Sequence, residues 1–399
     1  MFTEEKLKEV PEELEKLFRQ LEFDVINDIT KRISEAEKIS RTADYELWIA
    51  NQLRMFPSNL RKKIQKALKH SDEQMDHLYK DIIEEGYAQD EALYKANGTE
   101  FIPLEKNTKI KQLVDSLQEQ GKDDIKNLTK TTGFVLSDGG SKVATQYFRD
   151  ELNKAVFEIQ SGTFDYDGVI KRITNEMANS GLRTIDYESG HTDRLDVATR
   201  RAVMTGLRQI TETIAEDNAK KLDTEYFEVS AHVTARPSHA LWQGKVYTKE
   251  QLVSICGLGT VTGLCGVNCY HTYDPFIYGI SVRRYSDEEL SNIYKQTQQV
   301  KEYNGKKYTP YQATQRQRQL ERRMRVQDEK IKLLKGTDNK DALREAKARR
   351  EATYQEYKQF SKAMGLPEQM NRVFNSETSV KGNTKINDEK SIQMNIQGY

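Results

Sequence analysis

All three cysteines of this 399-residue chain, Cys256, Cys265 and Cys269, and three of its six histidines, His232, His239 and His271, fall within residues 231–276. Cys265-x3-Cys269-x-His271 places three soft or borderline metal ligands within seven residues, on a loop that Gly263 and Gly266 make compliant. His239 lies 26 residues before Cys265, just beyond a turn at Arg236-Pro237-Ser238, and could return as a fourth ligand. Zinc accepts two cysteines and two histidines in a closed tetrahedral structural site. The three-residue gap between the cysteines departs from the familiar two-residue knuckle, so two other readings stand beside zinc. One is a set of polar residues packed in a glycine-rich turn without metal. The other is a cysteine nucleophile, Cys269 or Cys256, activated by His239 or His271 as in Cys-His hydrolases. Asn268 and Asp274 are the only nearby candidates to orient such a pair.

The elements around this stretch follow from periodicity. Residues 224–233 alternate Phe227, Val229, Ala231 and Val233 with Glu228, Ser230 and His232, which predicts a half-buried strand with His232 on its polar face. Trp242 reads as a core anchor, Gly244 as the turn into a short strand over 245–248, and Tyr270, Tyr273, Phe276 and Tyr278 as packing or interface aromatics. Upstream, Pro11-Glu12-Glu13 makes a good first helical turn, followed by Leu14, Phe18, Leu21, Val25 and Ile29 at helical spacing. Further helices are expected from Pro57 onward, over 109–128, over 143–160 and over 169–178. Residues 136–141 and 181–193 read as loops, and Asp193 is placed to cap a long helix carrying Leu195, Val203, Leu207, Ile210 and Ile214.

A second candidate for function lies downstream. Leu320, Met324, Gln327, Ile331 and Leu334 alternate spacings of four and three; after a turn at 336–339 the seam resumes through Leu343, Ala346, Arg350, Thr353, Tyr357, Phe360 and Met364. This predicts an antiparallel helical hairpin whose polar seam positions weaken it. Residues 301–360 hold 17 basic against nine acidic side chains. Arg316, Arg318, Arg322, Arg323 and Arg325 form its densest stripe, continued by Arg344, Lys347, Arg349 and Arg350. A charge run on a helix is ordinarily a solvated face; contact with DNA phosphates or an acidic protein surface is the alternative.

Composition narrows the class. The chain is 36% hydrophobic and 31% charged, with mean hydropathy −0.81. That favours elongated helices with wide solvated faces over one compact α/β enzyme. The net charge of zero supplies no global field toward nucleic acid. Three clustered cysteines do not make a disulfide framework and suit reduced thiols in a cytoplasm. No apolar run approaches the length needed to span a bilayer and no signal-peptide pattern is visible, so no membrane partner is expected. There is no Walker-type phosphate loop, and Gly257-x-Gly259 stands in the wrong context for a dinucleotide. The expected fold is mostly α, of the α+β class, in four parts. Residues 1–160 form an elongated helical region, 161–286 a small mixed α+β core with the Cys/His cluster, 287–365 the basic hairpin, and 366–399 a polar, disordered tail.

Several segments carry a resemblance. They are Ile185-Asp186-Tyr187-Glu188-Ser189-Gly190 leading into 194–203 (RLDVATRRAV), 235–244 (ARPSHALWQG), 263–271 (GLCGVNCYH) and 308–318 (YTPYQATQRQR). Together they resemble the minor capsid proteins of tailed phages, the second minor capsid group, akin to the Mu F-like head proteins. The resemblance implies a low-copy structural protein of the phage head, made in the host cytoplasm. Such a protein binds the portal or major capsid protein and serves head assembly, DNA packaging or ejection. It also sets His239, Cys265, Cys269 and His271 on the metal-like positions of the Mu F-like cluster. The alternative from another class is a head-carried Cys-His hydrolase or toxin-like effector.

Overall fold

A computed structural model of the chain describes residue 7 and residues 9–39, 44–88, 90–161, 166–186, 188–337 and 339–373. The expected disordered tail therefore lies outside the described residues from 374 onward. Its first part, up to Val373, is packed: a short 3-10 turn, Met370–Arg372, leads to Val373, which is buried.

Helix α1 (Glu12–Ile39) is the axis of the first core. The spacing that predicted it is buried throughout, with Leu14, Phe18, Leu21, Val25 and Ile29 inside, and Ile26 and Ile33 inside as well. A helix apolar over so wide an arc must be covered from several sides. It is covered by α2 (Tyr45–Ala88), α5 (Ala144–Gln160), α6 (Tyr166–Ser180), α7 (Leu195–Lys221) and α10 (Pro310–Lys335). Helix α2 begins well before Pro57 and runs through it, contrary to the expected start at that residue. One lost backbone bond is outweighed locally by burial of Phe56 and Leu60, with the Phe56 ring 4.4 Å from that of Phe148. The short α3 (Glu91–Ala96) and then α4 (Thr108–Lys130) follow; Asn107 caps α4 by accepting from the Ile110 N–H.

The two stretches expected as loops are each held by short strands. β1 (Thr132–Val135) and β2 (Ser141–Val143) pair around residues 136–140, and β3 (Arg183–Ile185) pairs with β4 (Thr192–Arg194) around residues 186–191. Together they make an antiparallel sheet of order β2-β1-β3-β4. Gly133 is required there, because a Cβ would lie 2.0 Å from the Lys142 carbonyl oxygen. Asp193 does not cap α7. Its carboxylate instead takes Arg201 at 2.8 Å and His191 at 3.0 Å, and the cap residue, Arg194, makes no side-chain capping bond.

A second core holds Ala215, Ala219, Phe227, Val229, Trp242, Tyr247, Leu252, Cys256 and Leu264. It fills the space between the end of α7, the helix α8 (Lys249–Ser254) and a sheet of order β6-β5-β7. The strands are β5 (Tyr226–Val229), β6 (Val246–Thr248) and β7 (Tyr273–Phe276), all antiparallel. The expected strand is thus shorter, and the alternation breaks at Glu228. That residue is buried, accepting the Arg284 N–H at 2.9 Å.

A third core is built from the downstream helices. After α9 (Asp287–Gln298) comes the hairpin β8 (Lys301–Tyr303) and β9 (Lys306–Tyr308), then α10 and α11 (Lys340–Met364). Gln317 meets Ser361 at 3.0 Å, Gln327 meets Thr353 at 2.9 Å, and Arg350 meets Asp328 at 2.8 Å. These pairs fix α10 and α11 as antiparallel, as the seam predicted. Gln327 and Thr353 pair with each other across the seam and Arg350 takes Asp328, while Leu320, Met324, Tyr357, Phe360 and Met364 fill the apolar layers. The chain is mostly α with small antiparallel sheets.

Candidate metal centre

His239 is set by the turn that the proline announces. Its N–H bonds the Arg236 carbonyl at 2.9 Å, and Gln243 N–H bonds back to the His239 carbonyl at 3.1 Å. Gly244 closes this turn at φ +73°, where a Cβ would lie 2.2 Å from Leu290 Cδ2. The partner loop is folded on itself by Leu264 N–H to Cys256 O and Val267 N–H to Val261 O, each 2.8 Å. Cys265 and Asn268 sit in the left-handed region, at φ +57° and +56°, which turns the chain sharply twice in four residues. Those two turns bring Cys269 and His271 under His239.

The three side chains converge on one point. Nδ1 of His239 and Nδ1 of His271 are 3.4 Å apart, and Cys269 Sγ lies 3.7 Å and 3.4 Å from them. A tetrahedral zinc with bonds of about 2.05 Å to nitrogen and 2.3 Å to sulfur needs separations of about 3.4 Å between nitrogens and about 3.6 Å from nitrogen to sulfur. The triangle fits that size. His239, Cys269 and His271 are all buried.

The outer bonds decide which ring nitrogens face inward. His239 Nε2 is 2.8 Å from the Thr262 carbonyl oxygen, and His271 Nε2 is 3.0 Å from Gln243 Oε1. Both acceptors call for a proton on Nε2, so both Nδ1 atoms present lone pairs to each other and to the sulfur. Burial first, then the positive field of neighbouring groups, pushes the pKa of His271 well below its usual range; burial also lowers His239 against its bond to Thr262. Two neutral imidazoles with facing lone pairs are a donor set that a cation satisfies. Cys269 is pushed up by burial, while the backbone N–H of His271 and the Arg208 guanidinium act to lower it. Those same donors would support a metal thiolate.

Of the four expected ligands the structure brings together three. Cys265 stands apart: its Sγ–H points at the His271 carbonyl oxygen, 3.6 Å away, and meets Glu212 of α7. His232 does not lie on a polar strand face; its ring stacks on that of His271 with centroids 4.3 Å apart. Trp242 is a core residue as expected, and it also walls the site, 4.6 Å from the His239 ring and 5.0 Å from that of His271. Sequence reasoning missed Gln243, a buried amide that orients His271 and also accepts the His232 N–H at 3.0 Å. Nothing in ligand spacing marks such a residue. The nucleophile reading meets a simple obstacle. Burial raises all three thiols, Cys256 to about 12, whereas an activated cysteine needs its pKa lowered.

The arginine stripe is divided. Arg322 and Arg323 are exposed, and Arg316 pairs with Glu356 across the hairpin at 2.5 Å. Arg318 lies over the Tyr270 ring at 5.9 Å, so it belongs to the wall of the His/Cys cluster. Arg325 turns inward, contrary to expectation. It donates to the Arg372 carbonyl at 2.8 Å and shares a buried charge cluster with Arg19, Arg194 and Asp196. Burial and those like charges lower its pKa to about 10.

Comparison with known proteins gives this architecture its family. A family model described as phage minor capsid protein 2 matches residues 2–362. The chain belongs to that family. A protein named "Structural protein" from Lactococcus phage LL-H is 24% identical over 242 residues, covering 57% of this chain and 64% of that relative. The chain therefore spans a little under two thirds of that relative's length. No solved structure matches. Membership places the chain among the structural proteins of phages, and among the described residues no helix is long and apolar enough to cross a membrane.

Proposed function

We propose that this minor capsid family member is a component of the tailed-phage head that works by binding. In this reading it is made in the host cytoplasm, joins the virion through the portal or major capsid protein, and serves assembly, packaging or ejection. The match across residues 2–362 carries the reading. The exposed basic face of the α10–α11 hairpin supports it, since Arg322, Arg323 and Arg344 lie outside while Gln327 and Arg350 find partners across the seam. The four-part division at residues 160, 286 and 365 is proposed with it, and so is one divalent ion, zinc by ligand chemistry, held by His239, Cys269 and His271. There the ion would act as a staple between the turn before β6 and the loop before β7.

The experiment separates the two partners of the basic face. Arg322→Glu with Arg323→Glu leaves the internal Arg325 alone. Loss of the variant from assembled heads is expected if the face docks on an acidic protein surface. Normal incorporation with defective packaging or ejection would assign the face to packaged DNA. Normal heads at normal yield would remove the basic face from the function. For the metal, elemental analysis of protein purified without chelator should give about one zinc per chain. Zinc far below one equivalent, with a melting temperature unmoved by EDTA, would leave the triad as packing only.

A further inference from the structure

The metal triad has three protein ligands, and a tetrahedral ion has four positions. A cavity of about 70 Å³ is lined by all three, His239, Cys269 and His271. Its opposite wall is the start of α10, where Thr314, Gln315 and Arg318 face the site. At roughly 30 Å³ per water, that space holds about two. Cys265, the fourth expected ligand, is committed elsewhere, its Sγ–H donated to the His271 carbonyl. Charge points the same way. One thiolate and two neutral imidazoles leave a divalent ion with net charge of about +1, and Arg236 and Arg318 border the same cavity.

Resting on the metal reading above, we propose that the site is open. Its fourth position holds a water exchangeable for a small anion on the side of α10, and Cys265 is not a ligand. A closed two-cysteine, two-histidine site would be neutral and have no use for an adjacent polar cavity. An open one makes the hairpin a lid on the exchangeable position, since Arg318 also reaches Tyr270 Oη at 3.4 Å, beside the ligand loop.

Cobalt substitution of the full chain tests this. After the native metal is removed by chelator, one equivalent of Co2+ should give tetrahedral visible bands and a thiolate-to-cobalt charge-transfer band. Azide should shift the visible bands of the wild-type protein. Cys265→Ser should keep both the stoichiometry and the charge-transfer intensity, whereas Cys269→Ser should lose the charge-transfer band. A visible spectrum that azide leaves unmoved overturns the open site, whatever Cys265→Ser does. Charge-transfer intensity halved in Cys265→Ser overturns it as well, by making Cys265 a ligand. Wild-type protein that takes up no Co2+ would overturn the metal reading itself. The azide arm needs no substitution, so a variant that fails to fold does not blunt the test.

Discussion

Asp90 shows how a single residue can be placed against its own charge. It sits between α2 and α3, where its carboxylate accepts from Asn218 Nδ2 at 2.6 Å, and Asn218 in turn accepts from Tyr94 Oη at 2.8 Å. Burial first, and then the nearby charge of Asp274, raises its pKa to about 7. The folded state therefore holds this proton more tightly than the unfolded chain does. The stability it contributes is complete below about pH 4 and is lost as pH rises through about 7. Asp90→Asn keeps an acceptor for Asn218 and removes the titration. Its melting temperature should match wild type near pH 4 and exceed it by pH 8; a difference that shrinks as pH rises would refute the assignment. At the proposed metal site, Gln243→Leu removes the acceptor that holds His271 in its tautomer, and zinc affinity measured by chelator competition should fall about 10- to 100-fold. His239, Cys269 and His271 were legible in the sequence because metal-ligand chemistry is confined to few residue types. Gln243 was not, because an outer amide can come from any neighbouring strand or turn.

At the scale of elements, a buried charge cluster joins α1, β4, α7 and α10. Glu22 of α1 accepts the Leu182 N–H at 2.8 Å and pairs with Arg194, which also approaches Asp196 at 3.7 Å; Glu329 of α10 is near the same group. Burial outweighs the pull of Arg194 at Glu22 and pushes its pKa upward, while Arg194 and Arg325 hold Asp196 down. Glu22→Ala would leave the buried Leu182 N–H without its acceptor and Arg194 with only its longer approach to Asp196, a cost of about 3 kcal/mol. Thermal unfolding should show a clear drop in midpoint for Glu22→Ala and a smaller one for Glu22→Gln, which can still accept from Leu182. Equal midpoints for wild type and Glu22→Ala would mean that water already serves Arg194. The helices were readable in advance because each repeats its apolar spacing locally over several turns. β1 to β4 were not, since strands of three or four residues hold too few positions to alternate, and Thr132 finds its partner at Thr184. Arg325 was misplaced for a related reason. A charged residue enters the interior only when distant partners, here Arg372 O and Asp196, are brought to it.

Across the whole molecule, three cores are strung in chain order, yet the first is not closed by its own segment. Its buried set runs from Leu7 to Ile214 and then includes Tyr270 and Leu333. Tyr270 Oη accepts from Arg200 at 2.6 Å, and the same Arg200 pairs with Glu15 at 2.6 Å, so the ligand loop is tied to α1 as well as to α10. Composition foretold thin cores and much solvated helix. It could not foretell that α1 and α10 would share a face, because long-range closure leaves no mark in local periodicity.

That closure sets a timetable on the ribosome. About 270 residues separate the end of α1 from the start of α10. At roughly 5–20 residues per second, α1 waits on the order of 15–50 s for the helix that completes its cover. During that interval a stretch holding Phe18, Val25, Ile26, Ile29 and Ile33 has only part of its final shelter. Ribosome-bound chains stalled before Pro310 should therefore expose α1 to protease or to a holding chaperone, and chains stalled once α10 has cleared the tunnel should protect it.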